Sequence, residues 1–174
     1  MTKHAFLSGR LLERLADTIL VWIATMALLL APPLLRIALA LPFLRSGLTR
    51  WDGFLSISAG TLYLFENQFK LHVLGGVYDL PAPDTLALVV AIAEIVLPIL
   101  LILGLATRLA ALALLFMTTV IQLVFPDGWA NFHLYWAALA VALIALGGGR
   151  LSLDYLIGFW HGRHARQNGA RPTA

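Results

Sequence analysis

A few polar side chains lie within long apolar stretches of this sequence, and they are the residues that could do chemistry. Glu94 is the tenth residue of the apolar run 85–103, so on a helix it lies about 15 Å from one end, near mid-membrane. Because an ionisable group is costly at that depth, we predict that Glu94 is protonated, paired or facing a wet cavity. It is the candidate catalytic residue, an acid that handles protons beside a ligand pocket. A structural role, with Glu94 hydrogen-bonded to another helix, stays open.

Four further residues are predicted to bind the ligand of this pocket, and they come from three different apolar runs: Arg36, Gln122, His133 and Trp136. In antiparallel helices, Gln122 and His133 would converge with Glu94 in the middle-to-outer part of a bundle. Arg36 would pair with Glu94 if the first run crosses the membrane with this arginine in its outer half. The predicted pocket is therefore polar on one side and apolar elsewhere.

The sequence offers no thiol chemistry and no recognisable metal motif. It contains no cysteine, so the chain by itself forms no disulfide, no thiolate-bound iron–sulfur cluster and no thiol relay. His133 has no Glu-x-x-His pair of the kind that bundle metal sites use, so we predict no metal site and no covalently bound cofactor. The electrons of any redox step must then travel on a cofactor, a lipid quinone or a partner protein.

The composition indicates an integral membrane protein. Of 174 residues, 60% are hydrophobic and 12% are charged, against about 45–50% and 25% in soluble domains. The mean hydropathy is +0.87. A soluble domain of this size buries only about two-thirds of its chain surface, so an ordinary soluble enzyme is excluded, as is a disordered chain. The net charge is +3, but the basic residues flank apolar runs, so nucleic acid is not a predicted partner.

Four apolar runs predict an all-α, four-helix membrane bundle, and they cover residues 18–44, 85–103, 109–125 and 131–146. The first run would be about 40 Å long as a straight helix, against a hydrocarbon core of about 30 Å. It is a kinked, tilted helix, or an interfacial helix over about 11–31 followed by a short span from Pro33. A cleaved signal peptide ending near 38–40 is a third interpretation.

The basic residues predict the orientation and the organisation of the chain. Eight lysines and arginines fall on the side of the termini and the 104–108 turn, against three on the other side. This bias places both termini in the cytoplasm of a multi-pass protein, which in a bacterium lies in the inner membrane. An amphipathic cytoplasmic segment (1–17) precedes the membrane domain (18–157), and a basic cytoplasmic tail (158–174) follows it. The aromatic and charged segment 51–83 predicts short interfacial helices on the outer side.

An ordered series of short motifs in this chain resembles the DoxX family. The series consists of Leu34-Leu35-Arg36 with Gly47 and Trp51, Leu64-Phe65-Glu66, Ala93-Glu94-Ile95-Val96-Leu97-Pro98, Gly104-Leu105-Ala106-Thr107-Arg108, Thr119-Val120-Ile121-Gln122, Phe125-Pro126-Asp127-Gly128-Trp129, His133 with Trp136, and Gly149-Arg150-Leu151-Ser152-Leu153-Asp154. It covers about residues 34–157. The resemblance implies a small four-helix protein of the bacterial inner membrane, similar to the membrane subunit of thiosulfate:quinone oxidoreductase.

The same resemblance implies a function. It points to the membrane subunit of a quinone-linked redox complex, embedded in the lipid bilayer, with a membrane quinone and a soluble or peripheral oxidoreductase subunit as partners. No catalytic residues are agreed for the family, so none is carried over. The alternative is a non-catalytic membrane scaffold or a small-solute carrier, in which the polar residues order the helices or line a path. Residue chemistry alone does not choose between the two.

Overall fold

Helix α1 is far longer than any membrane span requires. The computed structural model describes the backbone of residues 2–160 and the side chains of residues 13–160, so most of the predicted tail lies outside it. Helix α1, Thr2–Leu48, is continuous and contains three prolines. Two separate elements broken near Pro33 are therefore not observed. Among the described side chains of α1, every buried position lies between 32 and 47, whereas residues 13–28 are all exposed.

Two antiparallel β-hairpins occupy much of the segment for which short helices are predicted. The strands are β1 (Trp51–Gly53) with β2 (Ser56–Ile57), and β3 (Lys70–Val73) with β4 (Gly76–Asp79). Each connection contains a leucine with positive φ, Leu55 at 58° and Leu74 at 50°. Asn or Gly usually occupies such positions; the second connection does contain Gly75, with φ 82°, directly after Leu74, whereas the first, Phe54-Leu55, contains neither. The chain is mostly helical, and these hairpins correct the prediction of interfacial helices alone.

A short helical segment connects the two hairpins. Helix α2, Ala59–Tyr63, begins where Ser58 Oγ accepts a hydrogen bond from the amide of Thr61 at 3.1 Å. A π-helix, Leu64–Gln68, continues from it and buries Phe65. This segment packs against α3. It is the helical part of the segment 51–83.

Three more long helices follow, namely α3 (Pro83–Leu103), α4 (Thr107–Val124) and α5 (Leu134–Leu146). A 3₁₀ turn (Pro126–Gly128) and a π-helix (Trp129–His133) precede α5. Within residues 2–160, four helical segments are long and apolar enough to cross a membrane, and they are Glu13–Leu48, Pro83–Leu103, Thr107–Val124 and Pro126–Leu146. Their number agrees with the four predicted spans.

The four long helices contact one another in a ring. Helices α1 and α4 each pack against both α3 and α5. Alanines in the core let the helices approach closely. The buried core consists of Leu39, Ala40, Phe43, Leu101, Ala110, Ala111, Leu114, Ala140 and Leu143. We call the end with the α3–α4 turn (104–106) the turn end, and the opposite end, with the β-hairpins and residues 125–133, the hairpin end.

Arg36 connects α1 with the end of α3 and with the segment after α5 at the turn end. It is 3% exposed and donates from Nη2 to the carbonyl of Leu151 at 2.5 Å. Its Nη1 donates to the carbonyls of Leu101 and Ile102, both at 3.5 Å. The last carbonyls of a helix lack partners within it; at the end of α3, Arg36 donates to that of Ile102 and adds a second donor to that of Leu101, which also accepts from the Gly104 amide. The predicted pairing of Arg36 with Glu94 is therefore wrong, because Arg36 lies at the end of α3 and not beside its middle.

Asp154 caps α4 at the same end, at the start of a last helix, α6 (153–160). Its carboxylate accepts hydrogen bonds from the amides of Ala106 at 2.7 Å and Thr107 at 2.9 Å. Burial raises the pKa of Asp154, but the amide hydrogen bonds from Thr107 and Ala106 and the charge of Arg36 outweigh it. The pKa of Asp154 therefore lies below its usual value of 3.8.

Acid is expected to weaken this end of the protein. Because the pKa of Asp154 is lower in the folded than in the unfolded chain, its ionised form stabilises the fold above pH about 4, and this contribution is lost as the pH falls through the folded pKa. We expect the melting temperature to fall between about pH 5 and pH 3, less steeply in Asp154→Asn than in the wild type. Thermal unfolding in detergent measures this, with the exposed Asp127→Asn as control. Equal slopes for Asp154→Asn and wild type would contradict the assignment.

Candidate functional site

Glu94 lies in the middle of α3 and forms a two-pronged ion pair with Arg50. Its carboxylate accepts from Arg50 Nε at 2.5 Å and from Arg50 Nη2 at 2.8 Å. Glu94 is 2% exposed and the Arg50 side chain 14%. Arg50 Nη2 also donates to Ser46 Oγ at 3.3 Å, and the guanidinium lies over the Phe65 ring, 5.4 Å from its centroid. Of the three predicted states of Glu94, the structure has the paired one.

The local fold fixes Arg50 beside Glu94. Helix α1 ends at Leu48, and the Arg50 amide donates to the carbonyl of Gly47 at 3.3 Å. A Cβ atom on Gly47 would lie 2.9 Å from the backbone carbon and oxygen of Glu94. Only glycine lets the two backbones approach so closely. The carbonyl of Arg50 then accepts from the Ser58 amide at 2.9 Å, which ties the first hairpin to this point.

His133 and Gln122 form the second polar pair of the site. Gln122 Nε2 donates to the carbonyl of Pro126 at 2.9 Å, so its Oε1 is the acceptor that lies 2.6 Å from His133 Nδ1. His133 Nδ1 therefore carries the hydrogen, and Nε2 is left as an acceptor in the neutral ring. The imidazole lies 5.4 Å from the Trp136 ring, measured between centroids. A hydrogen-bonded glutamine thus fixes the tautomer of a histidine that is 4% exposed.

A cavity of about 370 Å³ joins the two pairs. It lies in the half of the helix ring nearer the hairpin end, and five of its lining residues are aromatic. The lining consists of Pro42, Phe43, Ser46, Arg50, Phe65, Phe69, Leu80, Leu86, Val90, Glu94, Met117, Val120, Ile121, Val124, Phe125, His133 and Trp136. Its volume is at the lower end of the range for small-molecule sites, about 300–1,000 Å³. The arrangement suits a flat, apolar molecule with a few oxygen atoms.

The structure brings four of the five predicted site residues to this cavity or next to it. Glu94, His133 and Trp136 line it. Gln122 lies behind His133 and orients it. Arg36 does not line it, because its guanidinium binds the carbonyls at the turn end. The predicted convergence of Glu94, Gln122 and His133 in one half of the bundle thus agrees with the geometry.

Two features of the site are not predicted by the sequence. They are Arg50 and the aromatic side chains that cover the cavity at the hairpin end, Phe65, Phe69 and Phe125. Arg50 follows the first apolar run, and the sequence indicates for it only the role of a basic loop residue that bears on orientation. Phe65 and Phe69 pack edge to face at 5.1 Å, and Phe69 contacts Phe125 in the same way at 5.2 Å. The sequence does contain a signal for Arg50. It lies soon after the end of the first apolar run, and Glu94, in the middle of the second run, needs a cation as a partner.

The side chains at the cavity limit what it can do chemically. The His133 ring can accept or donate a proton at Nε2, and Arg50 with Glu94 adds a fixed ion pair. The aromatic rings can stack on a planar ligand. Within the described part of the chain, no three residues among His, Cys, Asp and Glu lie close enough to hold a metal ion.

Comparison with known proteins identifies the family. The family model of DoxX matches residues 31–127, which is more than half of the chain and includes Arg50, Glu94 and Gln122. No curated protein and no solved structure matches the sequence significantly. The four apolar helices agree with a multi-pass membrane protein. The chain belongs to the DoxX family.

Proposed function

We propose that this protein is the membrane subunit of a quinone-linked redox complex and that its cavity binds the head group of a membrane quinone. The observation that carries the proposal is the placement of His133, held by Gln122, in the lining of an aromatic-rich cavity between apolar helices. Quinone head groups are flat and apolar, with a carbonyl oxygen on each of two opposite edges. An apolar slot with a few well-placed polar groups is the usual form of such a site.

Each residue at the cavity has its own role in the proposed binding and reduction of the quinone. A bound quinone supplies the two-electron, two-proton acceptor chemistry, and the electrons come from an oxidoreductase partner subunit. In the neutral ring, His133 Nε2 would accept a hydrogen bond from a hydroxyl of the reduced head group; once protonated from the aqueous side, it would donate to one carbonyl oxygen of the quinone and give its proton to that oxygen as the electrons arrive, and a second proton taken up from the aqueous side completes the reduction. Gln122 holds the imidazole in place. Trp136 and Phe43, whose ring centroids are 5.1 Å apart, form the apolar wall.

The role that we propose for Glu94 differs from the proton handling that its position in the sequence indicates. Both of its oxygens bind Arg50, so it holds the arginine at the cavity wall, and we assign proton transfer to His133 instead. The Arg50–Glu94 pair has no net charge and presents a fixed dipole at the cavity wall, which orients the head group. The setting we propose is the inner membrane of a bacterium, with both termini in the cytoplasm.

Replacing His133 tests the proposal. In lipid nanodiscs, a ubiquinone with one isoprenoid unit is expected to quench tryptophan fluorescence saturably, since Trp136 lies at the cavity. His133→Leu is expected to weaken that binding about tenfold by removing the hydrogen bond that Nε2 of the protonated ring donates to the head group. Asn131→Leu is the matched control, because Asn131 is exposed, lies in the same π-helix as His133 and is not part of the cavity lining.

The result can contradict the proposal in two ways. Wild-type protein that shows no saturable quenching has no quinone site. Equal binding by His133→Leu and wild type means that His133 is not a ligand. A melting temperature measured for each variant separates lost binding from lost structure, and His133→Gln, which keeps a hydrogen-bonding group beside Gln122, serves if His133→Leu does not fold.

A non-catalytic scaffold or small-solute carrier is the second candidate. The observation that favours it is the buried Arg50–Glu94 pair, which joins the end of α1 to the middle of α3 and needs no ligand to explain it. This candidate predicts that variants of the pair change stability or transport, without any effect on quinone binding. Purification in mild detergent adds a direct test, because a co-purifying oxidoreductase and quinone would favour the redox subunit.

A further inference from the structure

The contact between α3 and α4 changes character halfway along its length. Towards the turn end, Leu101 of α3 packs with Ala110 and Leu114 of α4 in the buried core. Towards the hairpin end, the corresponding residues line the cavity and are only half-buried, and they are Leu86, Val90, Val120 and Val124. The two helices are therefore packed together in one half and separated by the cavity in the other.

The outer surface beside this part of the seam is apolar. The neighbouring exposed positions include Val89 at 55% and Leu123 at 37%. No charged residue occurs in 85–93 or in 116–124, and the polar Gln122 is bonded to Pro126 and His133. An opening between these stretches of two membrane-spanning helices meets lipid chains and not water.

The hairpin end of the cavity is covered by packed aromatic rings. Phe65 is buried, and its ring contacts that of Phe69, which in turn contacts Phe125. The second hairpin is held over α4 by the hydrogen-bond contact between His72 Nδ1 and the carbonyl of Leu123 at 3.2 Å. The cavity is thus closed at the hairpin end, and the α3–α4 seam is an apolar route between the cavity and the membrane.

We infer that the seam between α3 and α4 is a lateral opening through which the isoprenoid tail of the ligand leaves the cavity and enters the bilayer. The inference rests on the proposed quinone site. A cavity of about 370 Å³ holds a ring and the first part of a tail, but not a long polyisoprenoid chain. The rest of such a chain is apolar and belongs in lipid, so it must pass between Val90 of α3 and Val120 of α4.

The test compares the binding of a long-tailed quinone with the binding of the head group alone, in a variant whose larger side chain fills the α3–α4 seam. Val90→Phe adds a ring to the half-buried wall of the opening, and Val89→Phe adds the same ring at the neighbouring, exposed position of α3. Binding in nanodiscs is followed by tryptophan quenching for a ubiquinone with ten isoprenoid units and for the tail-less ubiquinone head group. Because Val90 also lines the cavity, both quinones are expected to lose affinity in Val90→Phe, but the loss is expected to be about tenfold larger for the long-tailed quinone than for the head group. Val89→Phe is expected to change neither.

Three results would overturn the inference, and they are distinguishable. Equal losses for the two quinones in Val90→Phe would show that the ring blocks the head-group site. Unchanged binding of both quinones would show that the tail does not use the seam. Saturable binding of neither quinone to the wild type would overturn the proposed function and this inference with it. If Val90→Phe does not fold, Val120→Phe on the opposite wall, with the exposed Thr119→Phe as its control, carries the same test.

Discussion

Replacing Glu94 with Gln is expected to lower the free energy of unfolding by about 3–5 kcal/mol. The change removes one charge of a buried pair and leaves the Arg50 guanidinium, whose side chain is 14% exposed, without its anion. A glutamine can accept only one of the two hydrogen bonds that the carboxylate accepts. Removing one partner of a buried pair costs more than the pair is worth, because the other charge stays desolvated. Equilibrium unfolding in mixed micelles measures the change.

The exposed pair of Lys70 and Asp79 provides the matched control. The Asp79 side chain is 82% exposed, so Asp79→Asn is expected to cost no more than about 1 kcal/mol. The double variant Arg50→Met with Glu94→Leu removes both charges and should recover most of the stability lost in Glu94→Gln. A Glu94→Gln protein as stable as the wild type would contradict the pair as a buried structural element. If the Glu94→Gln protein keeps its stability but its complex no longer reduces quinone, Glu94 is the residue that transfers the proton.

Replacing Gly47 with Ala is expected to lower the free energy of unfolding by about 1–3 kcal/mol. The new methyl group would lie 2.9 Å from the backbone of Glu94, which cannot rotate away as a side chain could. Helices α1 and α3 would have to separate, which also lengthens the Arg50–Glu94 contacts. The measurement is again unfolding in mixed micelles, with the binding of a short-tailed ubiquinone as a second readout.

Gly158 is the control for this change, because it also lies in a helix but has no atom within 4 Å of the position of an added Cβ. Gly158→Ala is expected to be neutral or to stabilise the protein by about 0.4–1 kcal/mol through the unfolded chain. If Gly47→Ala behaves like Gly158→Ala, the close approach of α1 and α3 does not hold Arg50 in place. The two alanine variants thus compare the same chemical change with and without a facing backbone.

The hairpins show where local signals were insufficient. The segment 51–83 mixes aromatic and charged residues, and Leu55 and Leu74 occupy positions of positive φ where a hairpin usually has Asn or Gly. Contacts with α3 and α4, including that between His72 and Leu123, support these short strands from outside. Such support depends on which helices lie nearby, and the residues of the segment do not contain that information.

The sequence by itself determined the properties that depend on composition and on the regular rise of a helix. A chain with 60% hydrophobic residues needs a membrane, and the fixed spacing within each run placed Glu94 at mid-helix and Gln122 near the hairpin end. The tertiary structure alone decided which arginine neutralises Glu94. Arg36 and Arg50 lie on either side of the close approach at Gly47, and the register between α1 and α3 at that point brings Arg50 to the carboxylate and Arg36 to the turn end. That register depends on packing between helices distant in sequence, which no spacing along one chain can specify.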